Sequence, residues 1–248
     1  MLAWHAELVA EDRLTGGRNT REVVRIGETV RHTRGSGAGF AARVLTFLES
    51  IGFAHAPRYL GVDERDRDIL TFIPGCTTDH PSQRGHGAYG MGGRILRELH
   101  DATDGHALAG TQECVIHGDP GPFNTIFRQG QPVALIDWDS CRPGRRLEDL
   151  AYMSWTWCIQ SAGNVPIEHQ AEHLRELRDG YGSVETELLI DMMLLRQAEI
   201  AASEAANARN LALDRVRRQS AEEAVAWAEN DSALVRGNRT TLLAALLR

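Results

Sequence analysis

The 248-residue sequence contains no lysine; all 27 of its basic side chains are arginine. That absence excludes Schiff-base chemistry on a lysine amine and any mechanism with lysine as a base. It also excludes the phosphate-binding loop that ends in Gly-Lys-Ser/Thr. Cysteine is scarce. Cys76, Cys114, Cys141 and Cys158 form no C-x-x-C pair, and their spacing fits neither a zinc module nor a secreted disulfide framework. No apolar run approaches the ~20 residues of a membrane span. The opening MLAWHAELVAEDRL carries acids too early for a signal peptide. A cytoplasmic protein with no membrane partner is the expectation. Positive charge is in deficit, 27 basic against 34 acidic residues for a formal −7. That disfavours nucleic acid as a partner, because displacing its counterions needs a basic surface. What remains is ordinary for a folded soluble protein: 42% hydrophobic, 25% charged, and long enough for one domain or two coupled lobes.

The first third reads as strands around one helix. VVRI (23–26) and TVRH (29–32) flank Gly27-Glu28 as a hairpin. FAARVLTFLESIG (40–52) has helical apolar spacing, with Gly52 as its stop. Segments 58–62 and 68–73 read as a second strand pair, and Pro74-Gly75 marks a boundary. The expected division is therefore 1–73 and 74–248. A helix is expected over 92–102, then short strands around 115–127 and 133–138, then helices from Glu148 to the end. The stripe Leu188, Met192, Leu195 and the pair Trp155 and Trp157 read as core.

The chemistry concentrates in His117-Gly118-Asp119-Pro120-Gly121-Pro122-Phe123-Asn124 and in Leu135-Ile136-Asp137-Trp138-Asp139. Two prolines and a glycine cannot sit in a helix interior or a central strand, so Asp119 lies on a rigid loop. A hairpin symmetric about Gly130-Gln131 would set Asn124 opposite Asp137. An amide oxygen and a carboxylate are hard ligands that suit Mg²⁺, and a free carboxylate one loop away suits a base. These are the parts of phosphoryl transfer from a Mg-nucleotide.

The two segments resemble the catalytic region of the aminoglycoside phosphotransferase and choline kinase group, relatives of the protein kinases, in which His-x-Asp-x-x-x-x-Asn precedes an Asp of the Asp-Phe-Gly type. Other stretches resemble the same group: Gly16-Gly17 the opening of the small lobe, LTFIPG (70–75) the hinge, ILRELHD (95–101) the helix before the catalytic loop, and Glu148-Asp149-Leu150-Ala151 a further signature. The resemblance implies an α+β, two-lobed protein-kinase-like fold, with a small strand-rich N-terminal lobe and a larger, mainly helical C-terminal lobe. It implies an ATP- or GTP-dependent phosphotransferase that moves the γ-phosphoryl group to a hydroxyl of a small molecule, such as an aminoglycoside-like antibiotic, a choline-like alcohol or another metabolite. By the same resemblance Asp119 accepts or orients the hydroxyl proton, and Asn124 and Asp137 hold Mg²⁺. The backbone of Phe72 and Ile73 meets adenine, His117 braces its loop, and Asp149 is a buried acid bonded to catalytic-loop backbone.

The family's small-lobe Lys and its helix Glu have no counterparts here. Their positions fall on Arg31 and near Ala41, and no acid lies between Glu28 and Glu49. Arg31 is the expected phosphate contact. The missing pair also fits a second class, a kinase-fold binding protein with weak or no turnover. A third class, a metal hydrolase, would use His169-x-x-Glu172-His173, although that run reads as a solvated helix face.

Overall fold

A computed structural model describes residues 11–14 and 23–248; Gly16-Gly17 lie outside them. Strands β1 (Asp12–Arg13), β2 (Val23–Ile26), β3 (Thr29–Thr33), β4 (Tyr59–Val62) and β5 (Arg67–Thr71) form one antiparallel sheet in the order β1-β2-β3-β5-β4. The hairpin at Gly27-Glu28 forms as the sequence requires, with Ile26 opposite Thr29 and Gly27 in the left-handed region at φ +59°. Helix α1 (Ala38–Ser50) buries Ala41, Val44, Leu45 and Leu48. Its partners on the sheet include Tyr59 and Leu70.

Beyond Pro74 the chain is mainly helical. Helices α2 (Ala88–Thr103), α3 (Arg146–Cys158), α4 (Ile167–Tyr181), α5 (Thr186–Arg209), α6 (Arg215–Gly237) and α7 (Arg239–Leu246) accompany two small two-stranded sheets. One pairs β6 (Cys114–Ile116) with β9 (Arg142–Gly144); the other pairs β7 (Thr125–Arg128) with β8 (Gln131–Leu135). The expected two-part α+β architecture is thus present: a strand-rich N-terminal portion and a larger helical one. Trp155 and Trp157 are fully buried, as expected, but the stripe Leu188, Met192, Leu195 is not core, since Leu188 and Leu195 on α5 are exposed. Among the described residues no helix is long and apolar enough to cross a membrane.

The hairpin register departs from the symmetric one. Arg128 pairs with Gln131 around a Gln129-Gly130 turn, both residues having positive φ (+51° and +75°). Two left-handed residues match the right-handed twist of a two-residue hairpin. A bulge between Ile126 and Phe127 then shifts the ladder, so Thr125 faces Leu135 and the Ile136 N–H donates to the Asn124 carbonyl at 2.9 Å. Asn124 is therefore opposite Ile136, not Asp137. Pro132 sits at the shift, where a residue without an N–H leaves the ladder cheaply.

Helices α2 and α4 approach through glycine. A Cβ on Gly93 would lie 2.2 Å from the Leu177 carbonyl oxygen and 2.7 Å from the Tyr181 nitrogen. Both are backbone atoms and cannot swing away. Alanine would gain about 1 kcal/mol of helix propensity, but forced separation of packed helices costs about 1–3 kcal/mol plus lost contacts. Gly93→Ala should therefore destabilise the protein by about 2 kcal/mol, read as a lower urea midpoint. An unchanged or raised midpoint would show that the two helices can slide apart freely.

Candidate active site

The site is built at the junction of β6, the loop after it, and the end of β8. Buried β6 delivers His117 to the edge of the large portion. The Asp149 carboxylate, in the first turn of α3, receives the loop backbone: Oδ2 accepts from His117 N–H at 2.6 Å and Oδ1 from Gly118 N–H at 2.8 Å. His100 from α2 adds a third contact, Nε2 to Oδ2 at 3.2 Å. Tyr181 at the end of α4 lies 2.8 Å from His100 Nδ1 and donates its hydroxyl there, which leaves the Nε2–H for the carboxylate. Burial alone would raise the Asp149 pKa. The bond from His100 and the backbone N–H groups outweigh it and hold the acid below its ordinary value.

His117 braces the loop from the other side. Nε2 lies 3.0 Å from the Ile136 carbonyl, so Nε2–H donates and Nδ1 is left to accept from Asp119 N–H at 3.4 Å. Burial lowers its pKa, in keeping with this neutral form. Its ring meets Trp138 edge-on at 4.8 Å. Gly118 is required twice over: φ is +85°, and a Cβ there would sit 2.4 Å from the Ser140 carbonyl oxygen.

Asp119 follows on a tight turn, with Gly121 N–H bonded to its carbonyl at 2.9 Å and Trp157 Nε1–H to Pro120 at 3.0 Å. Its Oδ1 is buried and accepts no hydrogen bond. Burial is the largest influence on this carboxyl and pushes its pKa up to about 7; Tyr152 and Asn124 temper the rise, while Asp137 and Asp149 add to it. An acid held near neutrality, with one oxygen unused, is poised to take up a proton brought to it.

Asn124 closes a single helical turn over 122–124, and its side-chain N–H donates to the Asp119 carbonyl at 3.0 Å. The amide oxygen is left as its acceptor. Asp137 caps the turn Trp138–Ser140 in the left-handed region, φ +60° and ψ +65°. A non-glycine residue in that region costs about 1 kcal/mol or more and is found where function demands it. Asn124 and Asp137 therefore emerge from adjacent ends of one hairpin beside the Asp119 loop. One amide and one carboxylate are a donor set that suits Mg²⁺, which keeps waters and phosphate oxygens in its remaining positions.

The α1 end of the N-terminal sheet meets this site at Gly37, where a Cβ would lie 2.3 Å from the Asp139 carbonyl oxygen. His32, Tyr59, Asp68 and Leu70 line the same small space as Trp138, Asp139 and the first turns of α1. Arg31 does not join them. It pairs with Val24 and Ile69, its guanidinium donates to Thr29 Oγ1, and strand alternation places it on the opposite sheet face. At the hinge, the Phe72 N–H is engaged by the Glu28 carbonyl at 2.9 Å. Arg25 covers the Phe72 ring at 3.8 Å.

The zinc motif does not assemble. His173 stacks on Tyr89 at 4.0 Å, and among the described residues no three His, Cys, Asp or Glu side chains are grouped to hold a metal. Motif reading missed His100 and Tyr181 as supports of Asp149, and Tyr152 beside Asp119. Each reaches the loop from a distant helix and leaves no local signature.

A profile of the phosphotransferase enzyme family matches residues 89–185, which span the clamp, the loop and the Asp137 turn. The trifolitoxin immunity protein of Rhizobium leguminosarum bv. trifolii is 35% identical over 192 residues, covering 68% of this chain and 73% of that protein. A choline/ethanolamine kinase family protein from Mesorhizobium loti superposes with TM-score 0.66 at 17% identity, over 98% of this chain and 95% of its own. Spectinomycin phosphotransferase, solved with ADP and spectinomycin, superposes with TM-score 0.65 at 12% identity, over 94% and 93%.

Proposed function

Because the chain belongs to the phosphotransferase enzyme family, we propose that it moves the γ-phosphoryl group of ATP to a hydroxyl of a small molecule, with Asp119 as base. The observation that carries this reading is the buried, unpartnered Oδ1 of Asp119, presented by a loop that Asp149 and His117 hold rigid. An exposed loop acid has no use for such a clamp. The acceptor hydroxyl gives its proton to Asp119 as its oxygen bonds to phosphorus, and the bond to the departing nucleoside diphosphate breaks.

Asn124 and Asp137 would hold Mg²⁺, which when bound neutralises charge on the phosphates. Asn124 also ties the Asp119 backbone, so the two ends of the site move together. At the hinge, the Phe72 N–H is engaged, which leaves its carbonyl and the Ile73 N–H for the adenine edge. A relative named for immunity to a toxin supports a protective role, with a toxic hydroxylated compound as the acceptor.

Thermal unfolding with ATP or GTP, each with and without Mg²⁺, tests the reading, since a ligand of the native state raises Tm by mass action. At 100 times Kd the gain is about 2.7 kcal/mol, or several degrees. The expected result is a Mg²⁺-dependent rise that Asp137→Ala abolishes. No rise with either nucleotide at millimolar concentration would overturn it.

A further inference from the structure

We propose that Arg34, braced by the buried carboxylate of Asp68, is the cation that meets the nucleotide phosphates, a role that the strand position of Arg31 cannot fill. The inference rests on the phosphotransferase reading and adds to it a residue that no motif marks.

Strand pairing divides the sheet into two faces. Thr29, Arg31 and Ile69 share one; Val30, His32, Asp68 and Leu70 share the other, which packs on α1 and the turn after Asp137. A ligand reaching from the hinge to Asp137 therefore runs along the second face. One end of that face is the hinge, fixed by the bond between Phe72 and Glu28. At the other end Thr33 pairs with Arg67, and the chain continues through Arg34 to Gly37, which abuts the Asp139 carbonyl. Arg34 thus begins the short loop that touches the catalytic turn.

The surrounding charges are mostly negative: Asp119, Asp137, Asp139 and Asp68. A triphosphate arriving there needs a cation from the protein as well as from the metal. On this face the described arginines are Arg25 and Arg34. Arg25 is engaged at the hinge end, bonded to the Gly27 carbonyl and Glu28 and stacked on Phe72. Arg34 is at the far end. Its Nε lies 3.2 Å from Asp68 Oδ1, and the Asp68 side chain is only 5% exposed. Tyr59 O–H also donates to that oxygen at 3.4 Å. The outer contact, NH1 to Asp66 at 3.4 Å, is to an exposed carboxylate and is weak. The guanidinium is therefore held by its inner nitrogen, and the Arg34 side chain is 31% exposed. The outer edge is the part of the fork that pairs with phosphate oxygens. In this pair the cation comes from the loop after β3 and the acid from β5.

The test is calorimetric titration of the full chain with Mg-ATP and, separately, with adenosine. Arg34→Ala should weaken ATP about tenfold or more and leave adenosine unchanged, because only the phosphate contact is removed. Arg34→Lys should recover part of the loss, and Asp68→Asn should reproduce part of it. Wild-type ATP affinity in Arg34→Ala would overturn the assignment, as would a loss confined to Arg31→Ala. An equal loss of adenosine would show the pair to be structural, which also overturns it. Failure of the unmodified protein to bind either ligand would instead bring down the phosphotransferase reading, and the assignment with it.

Discussion

Asp119→Ala is expected to lower kcat about a thousandfold while Mg-ATP affinity stays within about twofold of wild type. Removal of a positioned general base costs typically 10²–10⁴-fold, or roughly 3–5 kcal/mol of transition-state stabilisation. Nucleotide binding should survive because the residues proposed to hold it, Asn124, Asp137 and Phe72, belong to other turns. The same substitution should raise stability. The wild-type residue is half-buried, its Oδ1 is buried without a donor, and desolvation is the chief cause that lifts its pKa to about 7. Removing a buried, unsatisfied oxygen relieves a penalty of about 1 kcal/mol or more, against a small packing loss. A fall in turnover with a rise in Tm is what distinguishes a functional acid from a structural one. A variant that kept its turnover would remove Asp119 from the mechanism. One that lost turnover and stability together would make it a scaffold residue.

Two features of this site were plain in the sequence because they are written in adjacent residues. Pro120, Gly121 and Pro122 cannot sit in a helix interior or a central strand, so Asp119 had to lie on a loop. Gly27-Glu28 between two apolar runs had to be a turn. The failures share a physical cause, which is that period-2 patterns are weak where neither face is strongly apolar. In Thr29-Val30-Arg31-His32-Thr33 the apolar content does not say which of Arg31 and His32 faces α1. Only pairing with Ile69 and Asp68 decides it. The β7–β8 register differs because the turn falls on Gln129-Gly130, one residue earlier than expected, and a bulge on β8 then restores only part of the offset. The support of Asp149 was legible only in kind. That it bonds catalytic-loop backbone followed from the motif, but His100 and Tyr181 are brought to it by the packing of α2 and α4 on α3. Long-range burial, which no window of sequence contains, sets that part of the site.

Asp149→Asn should destabilise the protein by about 3 kcal/mol, the scale for leaving partners of a buried charged network uncompensated. The carboxylate presents acceptors to three donors: His117 N–H, Gly118 N–H and His100 Nε2–H. An amide of the same shape can present one oxygen, so its NH₂ must face at least one of those N–H groups. The loss is also pH-dependent. Asp149 has its pKa lowered in the native state, so its contribution is complete above the unfolded value near 4 and fades as the pH falls through the lower native value. Urea unfolding should therefore show the full wild-type advantage at pH 7 and a shrinking one below about pH 4. Turnover at a temperature where the variant is folded should fall as well, because the displaced backbone is that of the two residues preceding Asp119. An advantage that stayed constant from pH 7 down to pH 3 would mean that the charge of Asp149 is not what holds the loop. A variant that lost stability but kept full turnover would separate the clamp from the chemistry.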